Sequence, residues 1–215
     1  MKRDELIKSM RSFEGARTGN AKHLEILSLY NSAKPLPRGV KMLKSYAWCA
    51  ATVSAAIIKA GLINELPFNE CSCGKMIEKL KAKNFFIESD SYLAEPGDLI
   101  FYSWSDNGVG ECVEGHNHVG MCVERDGSKM LIAEGNKGGA FGYRVVDKNA
   151  RYIRGFAHFT LSDEVESETE YRIAVKGDSI SKWVKNFGYD KNFIIKANNL
   201  KYPYWLVAGK KYRVK

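Results

Sequence analysis

Residues 117–136 read NHVGMCVERDGSKMLIAEGN, two largely apolar runs on either side of an Asp-Gly pair. Such runs flanking Asp-Gly are typical of a β-hairpin. Because side chains alternate between the two faces of a strand, the length of the loop decides which residues share a face. A two-residue loop would separate His118 from Glu134. We predict a three-residue loop, Arg125-Asp126-Gly127, which pairs His118 with Glu134 and leaves Asn136 on the same face.

Helical patterns precede this hairpin, and strand patterns surround it. Apolar residues recur at helical spacing in four segments before residue 84. The third segment ends at Gly61, a common helix stop, and places Cys49 in the first turn of its helix. Strands are predicted over residues 98–102, 117–125, 129–134, 142–146 and 153–159. Helices followed by an antiparallel sheet predict an α+β domain.

Cys49 and three polar residues of the hairpin form a candidate catalytic group. The partial positive charge at a helix N-terminus stabilises a thiolate, and an imidazole such as His118 can serve as its base. Glu134 or Asn136 would orient that imidazole, as the third member of a triad does. We therefore expect acyl-transfer chemistry at this group. Taken alone, however, the helix favours Cys49 as a small buried apolar residue over a nucleophile, and the hairpin changes this balance.

Four motifs in chain order carry a resemblance to a known family. They are Tyr46-Ala47-Trp48-Cys49-Ala50-Ala51, Glu95-Pro96-Gly97-Asp98-Leu99-Ile100-Phe101-Tyr102, His118-Val119-Gly120-Met121-Cys122-Val123-Glu124 and Ile132-Ala133-Glu134-Gly135-Asn136. Residues 44–159, which contain them, resemble the CHAP family of cysteine, histidine-dependent amidohydrolases and peptidases, in the NlpC/P60-like superfamily. The resemblance implies a papain-like fold and a bacteriolytic hydrolase that cleaves amide bonds of peptidoglycan, as phage endolysins and bacterial autolysins do.

The resemblance also implies a role for each residue of the group. Cys49 would be the nucleophile, His118 the general base, and Glu134 and Asn136 the orienting groups. The family contains both N-acetylmuramoyl-L-alanine amidases and peptidoglycan endopeptidases. We favour an amidase, but the sequence leaves the bond open.

No metal or other cofactor is expected. Some CHAP domains carry an acidic calcium loop ahead of the cysteine, but residues 36–47 contain no Asp or Glu. A zinc site would need thiolate and imidazole ligands. The available side chains lack the paired Cys-x-x-Cys spacing of such sites; they are Cys71, Cys73, Cys112, Cys122 and His116.

The net charge of +8 is concentrated near the end of the chain. Residues 171–215 hold 11 Lys and Arg against two Asp, a net charge of +9, so residues 1–170 carry −1. Residues 162–170 contain five acidic residues and one aliphatic residue, too few apolar groups to order the segment. We predict a catalytic domain over residues 1–161, an acidic linker over 162–170 and a binding domain over 171–215.

The last segment, residues 171–215, has the pattern strand, helix, helix, strand, with Asp178 as the predicted N-cap of the first helix. It resembles a single LysM domain, a βααβ module that binds glycans containing N-acetylglucosamine. The resemblance implies a sugar groove between the loops at residues 177–180 and 201–206. The residues expected to bind glycan, the aromatic ones by stacking on sugar rings, are Gly177, Asp178, Ser179, Ile180, Tyr202, Tyr204 and Trp205.

The chain begins without the continuous apolar segment of a signal peptide or a membrane span. We expect a monomer that does not insert into membranes, that stays in the host cytoplasm until lysis and that then acts on the cell wall. Peptidoglycan is the expected partner. The positive charge of residues 171–215 also favours anionic wall polymers.

Two other interpretations remain open from the sequence. A basic segment with Tyr and Trp can hold phosphates and stack bases, so residues 171–215 could be a nucleic-acid-binding tail on a cysteine hydrolase, although no nucleic acid is expected. The chain could also be a wall-binding or phage structural protein without turnover. The presence of Cys49, His118, Glu134 and Asn136 favours an enzyme.

Overall fold

The structure, a computed structural model, describes residues 1–162 and 170–215 of the chain. Most of the predicted linker, residues 163–169, lies outside the described residues. The chain divides into two units, Met1–Phe159 and Thr160–Lys215. The boundary between them falls close to the end of the predicted catalytic domain.

Four helices open the first unit, in the segments that the sequence predicts. They are α1 (Lys2–Arg11), α2 (Ala21–Ser32), α3 (Cys49–Lys59) and α4 (Cys73–Ala82). All residues of α3 from Cys49 to Ile57 are buried. Helix α3 contacts α1, α2 and the sheet. A helix surrounded in this way needs small, mostly apolar residues all round instead of on one face.

Six antiparallel strands form one sheet in the order β1-β6-β2-β3-β4-β5. The strands are β1 (Phe86–Ile87), β2 (Leu99–Tyr102), β3 (His118–Asp126), β4 (Lys129–Lys137), β5 (Ala140–Asp147) and β6 (Ile153–Ala157). The sequence predicts all of these except β1, which is too short to show an alternating pattern. The first unit is therefore an α+β domain.

The β3–β4 turn differs from the prediction. Asp126 pairs with Lys129, so the loop is the two-residue turn Gly127-Ser128 and the predicted three-residue loop is wrong. Gly127 has φ +57°, a value that glycine adopts without steric cost and that suits the first position of a tight hairpin turn. The right-handed twist of paired strands favours such turns over longer loops.

A β-bulge between Cys122 and Glu124 then changes the register of this hairpin. One extra residue on β3 shifts the pairing by one, so that Met121 pairs with Ala133. The shift moves side chains to the other face of the strand. His118 and Glu134 consequently share a face, the outcome that the sequence predicts, although the bulge and not the loop is responsible.

The second unit contains β7 (Tyr171–Ile173), α5 (Ile180–Phe187), α6 (Lys191–Ala197) and β8 (Lys211–Arg213). Strands β7 and β8 pair in an antiparallel manner, so the order strand, helix, helix, strand is as predicted. Its core is built from Ala174, Ile180, Trp183, Ile194, Tyr212 and Val214.

The N-cap of α5 corrects one prediction. Ser179 caps the helix by accepting a hydrogen bond from the Lys182 backbone N–H, whereas the Asp178 carboxylate accepts one from the Val175 N–H. Asp178 therefore closes the preceding turn instead of capping the helix.

Within residues 1–162 and 170–215, no helix has both the length and the apolar character needed to cross a bilayer.

Candidate functional site

Cys49 is the first residue of α3, where the helix dipole is most positive. The preceding Trp48 is buried and fixes this end of the helix. Its indole N–H donates to Thr18 Oγ1 at 3.2 Å, and its ring centroid lies 4.9 Å from that of His23. These contacts fix the start of the helix, and Cys49 itself is 5% exposed.

His118 begins β3, and Glu134 lies on the neighbouring strand β4. The His118 Nε2 atom is 3.2 Å from Glu134 Oε2, and both side chains are buried. Gly120 leaves room for this contact, since a Cβ atom at that position would lie 2.9 Å from Glu134 Cγ. Glu134 can therefore fix the orientation and tautomer of the imidazole.

Arg144 on β5 holds the other side of Glu134. Its Nε donates to Oε1 at 2.7 Å and a terminal nitrogen donates to Oε2 at 3.1 Å. Burial raises the pKa of Glu134, but the hydrogen bonds from His118 and Arg144 outweigh burial and leave this pKa below its ordinary value. Glu134 therefore stays ionised although no part of its side chain is exposed.

The electrostatics of Cys49 and His118 favour an ion pair. Hydrogen bonds from Cys73 and His118 outweigh burial and hold the pKa of Cys49 well below its ordinary value. Burial lowers the pKa of His118, but the Cys49 thiolate and the Glu134 carboxylate raise it to about 9. Because Nε2 contacts Glu134, Nδ1 is the ring nitrogen that can exchange a proton with Cys49. Both shifts favour a thiolate beside an imidazolium.

A close contact between α3 and β4 keeps these groups together. A Cβ atom at Gly135 would lie 2.0 Å from Thr52 Oγ1, so only glycine allows the strand to approach the first turns of the helix this closely. The Thr52 hydroxyl points back along the helix and donates to the Trp48 carbonyl at 2.7 Å. Gly135 therefore sets how closely β4 approaches the helix that carries Cys49.

Asn136 lies in an irregular stretch at the end of β4. The pairing of β4 with β5 shifts between Glu134 and Lys137, and Asn136 has φ +58° in this irregular stretch. Among the described residues, no hydrogen bond joins the Asn136 side chain to His118. This irregularity interrupts the alternation on which the prediction for Asn136 depends. Glu134 is the residue that contacts the imidazole, and an orienting role for Asn136 stays a prediction.

An aromatic wall, defined as Tyr102 and Trp104, lies beside the imidazole. The two rings stack at 5.2 Å with an interplanar angle of 17°, and each centroid is about 6 Å from that of His118. The guanidinium of Arg144 lies over both rings, at 5.4 and 5.5 Å. Trp104 is 44% exposed and can therefore contact a ligand next to the site.

Sequence reasoning did not assign Arg144 or Cys73 to the site. The Cys73 sulfur lies 3.7 Å from the Cys49 sulfur. The zinc grouping considered from the sequence is not assembled, since Cys122 is buried on β3 with its sulfur 3.8 Å from the Ala94 carbonyl. In the two described ranges, no group of three or more His, Cys, Asp or Glu residues could hold a metal ion.

The second unit contains an open pocket of about 570 Å³. It is lined by five of the seven residues expected to bind glycan, together with four neighbours: Asp178, Ser179, Ile180, Ser181, Lys191, Pro203, Tyr204, Trp205 and Leu206. Gly177 and Tyr202 are outside this lining. Tyr202 is 85% exposed and packs edge-on against Tyr204, and Trp205 is 80% exposed.

Comparisons with known proteins give little guidance. No protein-family model matches the chain, and no curated protein matches it. Among solved structures, the chain is similar to "The crystal structure of Ly7917", with a TM-score of 0.41 and 14% identity. The match covers 72% of this chain and spans 61% of the length of the other. Similarity at this level does not identify a function.

Proposed function

We propose that the protein is a peptidoglycan hydrolase with a papain-like catalytic domain of the CHAP type. It would cleave an amide bond of the bacterial cell wall by cysteine nucleophilic catalysis. The observation that carries the proposal is the grouping of Cys49 at a helix N-terminus with His118 and the buried Glu134, in which the pKa of Cys49 is lowered and that of His118 is raised. A buried structural thiol has no need of such neighbours.

The reaction follows from the protonation state of each group. The Cys49 thiolate attacks the amide carbonyl, and the His118 imidazolium donates its Nδ1 proton to the leaving amine. The neutral imidazole then removes a proton from water, which hydrolyses the thioester and regenerates the pair. Glu134 keeps Nε2 of the ring occupied throughout, so that Nδ1 faces the reacting atoms.

The tetrahedral intermediate needs hydrogen-bond donors for its oxyanion. As the first residue of α3, Cys49 has a backbone N–H without an acceptor inside the helix. This N–H is the donor that we assign. The aromatic wall of Tyr102 and Trp104 would contact the substrate on the side of His118.

The second unit would be a LysM-like module that holds the enzyme on the wall. Support comes from the pocket beside Tyr204 and Trp205 and from the net charge of +9 over residues 171–215. Exposed aromatic rings stack on sugars, and positive charge attracts anionic wall polymers. Tethering raises the concentration of enzyme at an insoluble substrate without a new contact at the active site. A phage or prophage endolysin, acting on the wall when the host lyses, combines these features.

The bonds cut in purified Gram-positive cell walls test the proposal. We expect the protein to release soluble fragments whose mass spectra show free L-alanine amino ends, the product of an N-acetylmuramoyl-L-alanine amidase. New amino ends within the stem peptide or cross-bridge would instead identify an endopeptidase. Either result supports hydrolysis at Cys49 only if Cys49→Ala abolishes the release of fragments.

A matched control separates the nucleophile from cysteine loss in general. Cys112 is a partly exposed loop cysteine, and Cys112→Ser should release fragments at the rate of the parent protein. If the parent releases no more fragments than Cys49→Ala does, the proposed function is wrong.

A further inference from the structure

Two helices of the first unit begin at cysteines that face each other. Cys49 is the first residue of α3, Cys73 is the first residue of α4, and their sulfur atoms are 3.7 Å apart. Both thiols are buried. The role proposed for Cys49 does not explain why a second thiol should lie in contact with the nucleophile.

The pair shares one negative charge. The hydrogen bond with Cys49 and burial raise the pKa of Cys73 well above its ordinary value, while the pKa of Cys49 is lowered. The imidazolium of His118 faces Cys49, which explains why the charge resides there. These opposite shifts favour Cys73 as the protonated partner and Cys49 as the thiolate in the 3.7 Å sulfur contact.

We propose that Cys73 is a resolving cysteine, which captures the oxidised nucleophile in a reversible Cys49–Cys73 disulfide and so protects the active site from peroxides. The proposal rests on the proposed function only in treating Cys49 as the reactive thiolate.

The chemistry balances in two steps. The Cys49 thiolate attacks a peroxide oxygen, the O–O bond breaks, and Cys49 becomes a sulfenic acid while the peroxide leaves as water or an alcohol after protonation. The Cys73 sulfur then attacks the Cys49 sulfur, an S–S bond forms and water leaves with the Cys73 proton. A dithiol reductant returns both thiols and is itself oxidised to a disulfide.

The geometry requires little movement. A disulfide has an S–S distance of about 2.05 Å, so the sulfur atoms, now 3.7 Å apart, must approach by roughly 1.7 Å. At 3.7 Å the two sulfur atoms are already in van der Waals contact, so no other group has to move out from between them.

Cys71, two residues before Cys73, has different contacts. Its sulfur is 3.5 Å from Glu70 Oε1 and 3.7 Å from an Arg38 nitrogen. Burial raises the pKa of Cys71, so this thiol is a poor target for peroxides. Cys71 is therefore the matched control for Cys73.

The linkage is tested by peptide mapping of the full-length protein. The protein is treated with an equimolar amount of hydrogen peroxide, remaining thiols are alkylated, and the digest is analysed by mass spectrometry without reduction. We expect a linked species that joins the peptides of Cys49 and Cys73 and that is lighter than the two separate peptides by two hydrogen atoms. Treatment with dithiothreitol should restore both peptides. Absence of this species, with Cys49 alkylated or oxidised alone, would overturn the proposal.

Variants test the protective role. With hydrogen peroxide in excess, we expect two equivalents to carry Cys49 of Cys73→Ser through the sulfenic acid to the sulfinic acid, which dithiothreitol does not reverse. Under the same conditions Cys71→Ser should form the link and recover as the parent does. Recovery is read as the fraction of Cys49 that can be alkylated after reduction, with circular dichroism to verify folding. Equal recovery in Cys73→Ser and the parent would contradict protection. Cys73→Ala serves if the serine variant does not fold.

The outcomes are independent of wall hydrolysis. A protein that forms the Cys49–Cys73 link but releases no wall fragments would keep this inference and refute the proposed function. A protein that releases fragments but forms no link would support the proposed function and refute this inference.

Discussion

The two units expose their candidate functional residues to opposite degrees. In the first unit Cys49, His118 and Glu134 are buried, and their charges interact through protein instead of water. In the second unit Tyr202 and Trp205 are more than three-quarters exposed. Burial shifts pKa values and creates reactivity, whereas exposure offers apolar surface to a polymer without altering any protonation state. The proposed function places chemistry in the first unit and attachment in the second, and variants in each unit can test it.

Cys49→Ala should have the largest effect. Loss of a nucleophile typically costs at least about 10⁴-fold in turnover, so release of wall fragments should fall to background. Retention of the full-length variant on sedimented walls should match that of the parent. A large loss of retention would show that the first unit also dominates attachment.

Glu134→Gln should reduce kcat by about 10³-fold, because an amide does not stabilise the imidazolium and can select the wrong tautomer. Loss of a purely structural contact would leave the pH profile unchanged. Because Glu134 raises the pKa of His118, we expect the activity of this variant to begin to fall at a lower pH than that of the parent. Glu124→Gln is the control, since Glu124 is an exposed carboxylate on the same hairpin. An unchanged profile in Glu134→Gln would contradict the orienting role.

The pH dependence of kcat/KM should be bell-shaped. Activity needs the Cys49 thiolate, whose lowered pKa keeps it ionised well below pH 9, and the His118 imidazolium, whose raised pKa keeps it protonated up to about 9. Activity should therefore be present at neutral pH and fall as the pH rises through about 9. The rate of Cys49 alkylation measures the acidic side separately. Activity that keeps rising above pH 9 would exclude His118 as the proton donor.

Trp205→Ala should have the smallest effect, and it should change binding to walls instead of turnover. Loss of one stacking ring should weaken binding to walls about tenfold, equivalent to about 1.4 kcal/mol, with turnover of soluble wall fragments unchanged. Tyr171→Ala is the control, because Tyr171 is exposed but outside the lining of the pocket. Equal binding by both variants would place the glycan elsewhere.

Most helices and strands could be predicted because their signals are local. The small apolar residues of α3 and the apolar runs of β3 and β4 are visible in consecutive residues. Strand β1 was not predicted because two residues are too few to show a period. The register of the β3–β4 hairpin could not be predicted from such local signals. Its turn and the bulge between Cys122 and Glu124 depend on pairing with the neighbouring strand, so the shared face of His118 and Glu134 was predicted from an incorrect loop.

The sequence by itself determined the α+β order of the first unit, the position of Cys49 at a helix start, and the strand, helix, helix, strand order of the second unit. Only the tertiary structure decided that Arg144 holds Glu134 and that the sulfur of Cys73, 24 residues from Cys49 in the sequence, contacts that of Cys49. The reason is physical. Periodicity records which side of an element faces the core, but it contains no distance between elements, and the chemistry of this site depends on those distances.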